Sequence, residues 1–270
     1  MSTLRADQIG LEDRWQSRLP RVWRFLRERG VREVWRLLRQ YGVRQAIGFV
    51  GRNLRYVLAI AISKRFDRRY GVDTGGEVPS DHLEVVGDHA AQGASFLSTP
   101  ARSFLQTLTA LPRDAGEFAF VDFGCGKGRI LLLAAAAAPF RRIIGIEHAP
   151  ALVAIANRNI ETWRGARQCA TIEAICADAA LVELPSEPCV LYFFAPFDNP
   201  VLEAVLTNVT ASRRARPRRM YAIYMAARVE PLPDELMHAA GFLRVPSPPP
   251  LPRFDPGASR PLHYALYEAQ

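Results

Sequence analysis

The stretch Val121-Asp122-Phe123-Gly124-Cys125-Gly126-Lys127-Gly128-Arg129-Ile130 constrains the fold more than any other part of the chain. An apolar, strand-like run enters a turn with glycine at alternate positions and continues into a helix-forming stretch, 130–138. Alternating glycines let the backbone adopt conformations closed to other residues and bring main-chain amides close to a ligand at a helix start. Such a strand–turn–helix unit belongs to an α/β architecture and implies a nucleotide-like ligand. Two related loops are disfavoured by spacing. The phosphate-binding Walker loop needs Ser or Thr directly after its Gly-Lys, where this chain has Gly128. The dinucleotide loop places its third glycine one residue later, so NAD is the runner-up ligand.

Around this loop the chain alternates strand-like and helix-like segments. Strands are predicted at 118–123, 142–146, 170–176, 189–194 and 220–224, and helices at 100–110, 130–138, 149–163 and 200–210. Strands joined by crossover helices form a parallel sheet covered on both faces. The tail differs: a short helix at 234–240, a strand at 242–245, a proline-rich loop at 247–261 and a last strand at 263–267. So long a return suits an added antiparallel strand. The expected fold is α/β: a doubly wound, mostly parallel seven-stranded sheet with its last strand antiparallel, preceded by a helical N-terminal extension.

The extension carries the charge. The formal net charge is +8, yet residues 14–69 hold 16 Lys or Arg against Glu28, Glu33 and Asp67, a local +13. Only Lys64 and Lys127 are lysines, so abundant arginine does not by itself indicate phosphate recognition. Apolar residues recur at helical spacing (Trp15, Leu19, Val22, Leu26; Val31, Val34, Trp35, Leu38; Ile47, Val50, Leu54, Val57), punctuated by Gly30 and Gly42, which predicts two or three amphipathic helices. The chain thus divides into a basic amphipathic helical extension, 1–69, a polar connector or lid, 70–98, and an α/β domain, 99–270. A cap packed on the domain is the first reading of the extension. The second is peripheral contact between residues 14–69 and an anionic membrane, with Trp15, Trp23, Trp35 and Phe49 entering the surface. Nucleic acid ranks third, because no recognition helix or aromatic platform accompanies the arginines. The apolar run 57–62 is far shorter than the roughly 20 residues of a spanning helix. Four cysteines (Cys125, Cys169, Cys176, Cys189) without paired spacing, and an opening without an apolar signal core, predict a reduced, cytoplasmic protein, with a membrane-peripheral variant of that location. His82 and His89, beside Asp81 and Asp88, are read as exposed loop residues, the alternative being a general base for an acceptor. No metal-ligand spacing is present, so no metal is expected.

Two carboxylates follow later strands. Glu147 closes the second strand, 23 residues past Gly124, and Asp178 follows the third. Parallel order brings these strand ends to one rim, where a carboxylate accepts ribose hydroxyls. Taken together, VDFGCGKGR, IIGIEHAP, CADA and VLYFFAPF resemble the cofactor-loop, ribose, adenine and fourth-strand motifs of the class I (seven-β-strand) S-adenosyl-L-methionine-dependent methyltransferases. The resemblance covers about residues 96–268. In pattern it is closest to bacterial relatives of the non-SET protein lysine methyltransferases, which carry D-x-G-x-G-x-G-R and a segment like Phe96-Leu97-Ser98-Thr99-Pro100 that closes over the cofactor. One departure stands out: those sequences commonly place Asn before Pro-Phe, and this chain has Ala195-Pro196-Phe197, without an amide to orient an acceptor nitrogen.

The resemblance implies methyl transfer from S-adenosyl-L-methionine to an acceptor, a protein side chain or a small molecule. It implies that Glu147 and His148 hold the ribose, Asp178 and Ala179 the adenine edge, and Gly124, Cys125 and Gly126 the methionine portion. Phe96 and Thr99 would cover the cofactor, Phe194 and Ala195 would flank the methyl group, and Asp198 and Tyr224 would contact the acceptor. Asp122 either holds the loop as a buried carboxylate or meets the cofactor's amino group. Lys127 and Arg129 are read as solvated or helix-packing residues. The alternatives are a non-catalytic protein that binds S-adenosylmethionine or S-adenosylhomocysteine, motivated by Ala195, and a membrane-surface or partner-docking module built on the basic helices.

Overall fold

The computed structural model describes residues 39, 43–78, 96–97 and 99–270. The expectations placed on residues 14–38 and on His82 and His89 lie outside the described residues. Contacts divide the chain into two compact units, 1–54 and 55–270. The second holds the sheet and every site residue named above.

Strands β1 (Glu77–Val78) and β2 (Phe96–Leu97) form a two-residue antiparallel ladder of their own. The main sheet comprises β3 (Ala119–Phe123), β4 (Arg142–Glu147), β5 (Ile172–Cys176), β6 (Cys189–Phe194), β7 (Met220–Ala227), β8 (Phe242–Arg244) and β9 (Leu262–Ala269), in the order β5-β4-β3-β6-β7-β9-β8. β3 to β7 pair in parallel, and β9 runs antiparallel to both β7 and β8. This is the doubly wound sheet expected from the sequence. β7 runs three residues past the predicted end at Tyr224, because β9 continues to pair with it as far as Ala227.

β3, whose five residues are all buried, lies at the centre with strands on either side. That explains its unbroken apolar sequence, since a strand covered on both faces has no wet side to make polar. Alternate side chains enter two cores. Val121, Phe123, Leu191 and Phe193 pack against Val201, Leu202 and Val205 on one face, while Phe120, Val190 and Tyr192 meet Phe104, Leu132 and Val153 on the other.

Among the described residues the α-helices are α1 (Val43–Tyr70), α2 (Ala101–Leu108), α3 (Arg129–Ala137), α4 (Pro150–Thr162), α5 (Asn199–Ala215) and α6 (Asp234–Ala239). α1 opens directly after Gly42, one of the predicted breaks, and runs 28 residues. α3 is a run of Leu and Ala that stops at Ala138, whose backbone turns extended ahead of Pro139. Pro150 occupies the first turn of α4, where its missing N–H costs nothing. Asp198 caps α5 by accepting the Val201 N–H at 3.3 Å, and Arg213 and Arg214 face the negative end of that helix dipole. Among the described residues no helix is long and apolar enough to cross a membrane.

Candidate cofactor and acceptor site

The chain reverses direction across the sheet at β3: it passes to β4 and β5 on one side, then returns to β6 and β7 on the other. A crevice at the carboxyl ends of the strands forms at such a point. The glycine loop sits there. Gly124, Gly126 and Gly128 have φ of 81°, 54° and 81°, all left-handed. At Gly124 a Cβ would also stand 2.9 Å from the Pro196 Cβ, so the loops after β3 and β6 touch in a way only glycine permits. The loop is anchored to β4 by Gly124 and Cys125, whose N–H groups both donate to the Ile146 carbonyl at 2.8 and 3.0 Å. Cys125 is buried against Gly145, where a Cβ would fall 2.6 Å from the cysteine sulfur.

Glu147 joins the loops. Its Oε2 accepts the Gly126 N–H at 3.0 Å and its Oε1 the Ala149 N–H at 3.1 Å, and His148 Nδ1 lies 3.0 Å from Oε1. The carboxylate is 5% exposed. A carboxylate offers about four acceptor sites, so the two amide bonds leave two, with His148 Nδ1 set against one of them. Asp178 follows Cys176, the register partner of Glu147, and its Oδ1 accepts the Ala180 N–H at 2.9 Å, which shapes the turn that holds buried Ala179.

Asp122 lies in β3 opposite Tyr192 of β6. Burial holds its carboxyl well above the usual carboxylate range, and the nearby Glu147 charge adds to the effect. Burial likewise raises the Tyr192 hydroxyl, which donates to Met225 Sδ at 3.7 Å. Thr99 is buried, and Phe96 lies on β2 opposite Val78. At the end of β6 Phe194 and Ala195 are half-buried, and Ala195 takes a left-handed φ of 38°. Asp198 is committed to the α5 cap. Tyr224 is buried beside Phe193, and its hydroxyl is pushed up to about 12 by burial and the Glu230 charge.

Of the two readings of Lys127 and Arg129, solvated or helix-packing, the solvated one is overturned: they are 9% and 8% exposed, and Arg129 packs on α1. The Lys127 ammonium donates to both Asp73 oxygens at 3.0 and 3.1 Å and to the Gly75 carbonyl at 3.0 Å. The Arg129 guanidinium donates to Thr74 Oγ1 at 2.8 Å and Ser63 Oγ at 2.6 Å, pairs with Asp67 at 3.4 Å and lies over the Phe66 ring. Asn159 of α4 completes the cluster, accepting the Asp73 N–H and donating to the Asp73 and Lys127 carbonyls. None of Asp67, Asp73, Thr74 and Asn159 was apparent from sequence, because their partners lie far along the chain and the segment 71–76 has no periodicity. Among the described residues no group of three or more His, Cys, Asp or Glu side chains is arranged to hold a metal ion.

Residues 120–215, from β3 through α5, match the family model described as a methyltransferase domain. The matched segment takes in the glycine loop, Glu147 and Asp178. Similar solved structures include a TehB-like SAM-dependent methyltransferase from Corynebacterium glutamicum, 15% identical, covering 62% of this chain and 88% of that one with a TM-score of 0.42. Others are the N-methyltransferase NodS from Bradyrhizobium japonicum (12% identity, 62% and 93% coverage, TM-score 0.43) and a SAM-dependent methyltransferase from Aquifex aeolicus (14%, 64% and 94%, TM-score 0.43). No curated protein matches the chain.

Proposed function

We propose that the chain transfers a methyl group from S-adenosyl-L-methionine to an acceptor that enters beside Ala195-Pro196-Phe197, a protein amino group or a small molecule. The observation that carries this reading is the junction of the glycine loop with Glu147 at the switch point. The residues present suit the cofactor. Glu147 has acceptor capacity for a ribose hydroxyl, Asp178 stands at the adjacent strand end, and the bare left-handed loop admits a close ligand. Asp122 faces the methionine end in this reading and Thr99 helps cover it. When bound, the cofactor supplies an activated methyl group, so the chain's own task is to align the acceptor and exclude water.

The two acceptor contacts narrow the chemistry. Tyr224 keeps its proton at neutral pH and Asp198 already caps α5, so neither serves as a general base. An acceptor that meets only these two groups arrives as a competent nucleophile, such as a neutral amine or a thiolate. Relation to the protein lysine methyltransferases belongs to this proposal and rests on the D-x-G-x-G-x-G-R pattern and the segment Phe96-Leu97-Ser98-Thr99-Pro100. Calorimetry with S-adenosylmethionine, S-adenosylhomocysteine and NAD tests the ligand: binding of the first two and not the third is expected, and tight binding of NAD alone would sink the reading. Incubating the protein and labelled cofactor with a cell extract tests turnover. Label transferred to an extract component is the expected result, while cofactor binding without any transfer would favour the non-catalytic alternative.

A further inference from the structure

The cluster behind the glycine loop has no part in the contacts assigned above to cofactor or acceptor. Lys127 is gripped at both ends: its ammonium by Asp73 and Gly75, its carbonyl by Asn159 Nδ2 at 2.8 Å. Its neighbours Gly126 and Gly128 are left-handed and have no side chains to fix them. The backbone of a loop so rich in glycine is expensive to order, and pinning the one long side chain within it removes much of that freedom. The next residue back, Gly126, donates its N–H to Glu147 Oε2. Three covalently or hydrogen-bonded steps thus connect Asp73 to the carboxylate proposed for the ribose. Asp73 itself belongs to a short segment tied to the end of α1, where Asp67 accepts from Thr74 Oγ1 at 2.6 Å and from the Gly75 N–H at 2.9 Å.

We infer that Lys127 and Asn159 are positioning residues for the cofactor: they fasten the segment 71–76 to the back of the glycine loop and, through Gly126, set the orientation of Glu147. The end of α1 and the segment after it then form part of the cofactor site, although neither touches the cofactor. The inference rests on the proposed role of Glu147, so Glu147→Ala serves as a benchmark.

The test compares Lys127→Met and Lys127→Arg with the parent chain. Lys127→Met, confirmed folded by circular dichroism, should bind S-adenosylhomocysteine about tenfold more weakly, or 1.4 kcal/mol. Lys127→Arg, which keeps the charge and donors, should recover most of that loss. In ligand-free protein, hydrogen exchange at the Gly126 amide should be faster in Lys127→Met, a local change that a general loss of stability would not confine to the loop. In turnover the KM for the methyl donor should rise while kcat at saturation stays near the parent value. Should Lys127→Met fail to fold, Asp73→Ala, altered at a side chain 67% exposed, takes its place with the same expected direction. A folded variant whose affinity and Gly126 exchange both match the parent, while Glu147→Ala binds weakly, overturns the inference. If Glu147→Ala binds as the parent does, the ribose assignment has failed instead, and Gly126 exchange in the ligand-free protein decides the inference alone.

Discussion

Ala195 holds a backbone conformation that suits glycine or asparagine better than alanine. Replacing alanine with glycine ordinarily costs about 0.5–1 kcal/mol, but relief of the left-handed strain opposes that loss here. Ala195→Gly is therefore expected to leave the urea midpoint unchanged or raised, whereas a loss of about 1 kcal/mol would show the strain to be absent. Ala195→Asn should be tolerated equally and would restore an amide to the acceptor side. Asp122 poses a different question. Its native carboxyl is raised above 3.8, so the native state holds a proton that the unfolded chain releases. The stability this gives is complete below the unfolded value and fades as pH rises through the native one. Asp122→Asn has no such proton to lose, so its stability relative to the parent should be greater at pH 8 than at pH 5 in urea titrations. Equal differences at the two pH values would mean that Asp122 is an ordinary ionised carboxylate. Residues of this kind differ in how far sequence exposes them. The placement of Glu147 and Asp178 at adjacent strand ends was legible because they follow apolar strands at a spacing that topology brings together. Lys127 and Arg129 were not, since their partners lie 54 and 66 residues upstream in stretches with no pattern to mark them.

Most elements were readable to within a residue or two, because β3, β4, β6 and β7 are buried runs and the helices between these strands begin or end at proline or glycine. The proline-rich loop 247–261 was readable only as a long return. In the structure it does more. The first turn of α2 follows Pro100, which offers no side-chain cap, and Asp255 supplies one from across the fold: its Oδ2 accepts both the N–H and the hydroxyl of buried Ser103, each at 2.7 Å. Arg102 adds a bond to the Phe254 carbonyl at 3.2 Å. A cap delivered by a distant segment leaves no local signature, which is why the motif before α2 was silent. Asp255→Ala should cost about 1–2 kcal/mol in urea unfolding, as loss of a helix cap does, and more if Ser103 is stranded without a partner. No change would show that water replaces the carboxylate there.

At the scale of the molecule, the contacts of Arg129 decide where the second unit begins. Ser63, Phe66 and Asp67 all lie before residue 70, so a chain starting at 70 would strip a buried guanidinium of its acid and its ring. Removing one partner of a buried ion pair costs about 3–5 kcal/mol, a large share of the roughly 5–15 kcal/mol that holds a domain together. A chain starting at residue 55 is expected to unfold cooperatively, and one starting at 70 to lose most of that transition. Equal urea midpoints for the two would show that the cluster contributes nothing to folding. The sequence suggested a break at 69 because the basic charge ends there, but charge follows the wet surface of a helix and not its buried contacts. Timing on the ribosome gives the Asp255 cap a further consequence. Ser103 emerges 152 residues before the carboxylate that caps its helix. At typical synthesis rates of about 5–20 residues per second, α2 waits on the order of 8–30 s with its leading amides unmet. A nascent chain halted before residue 255 should therefore be more open to proteolysis around α2 than one halted after it.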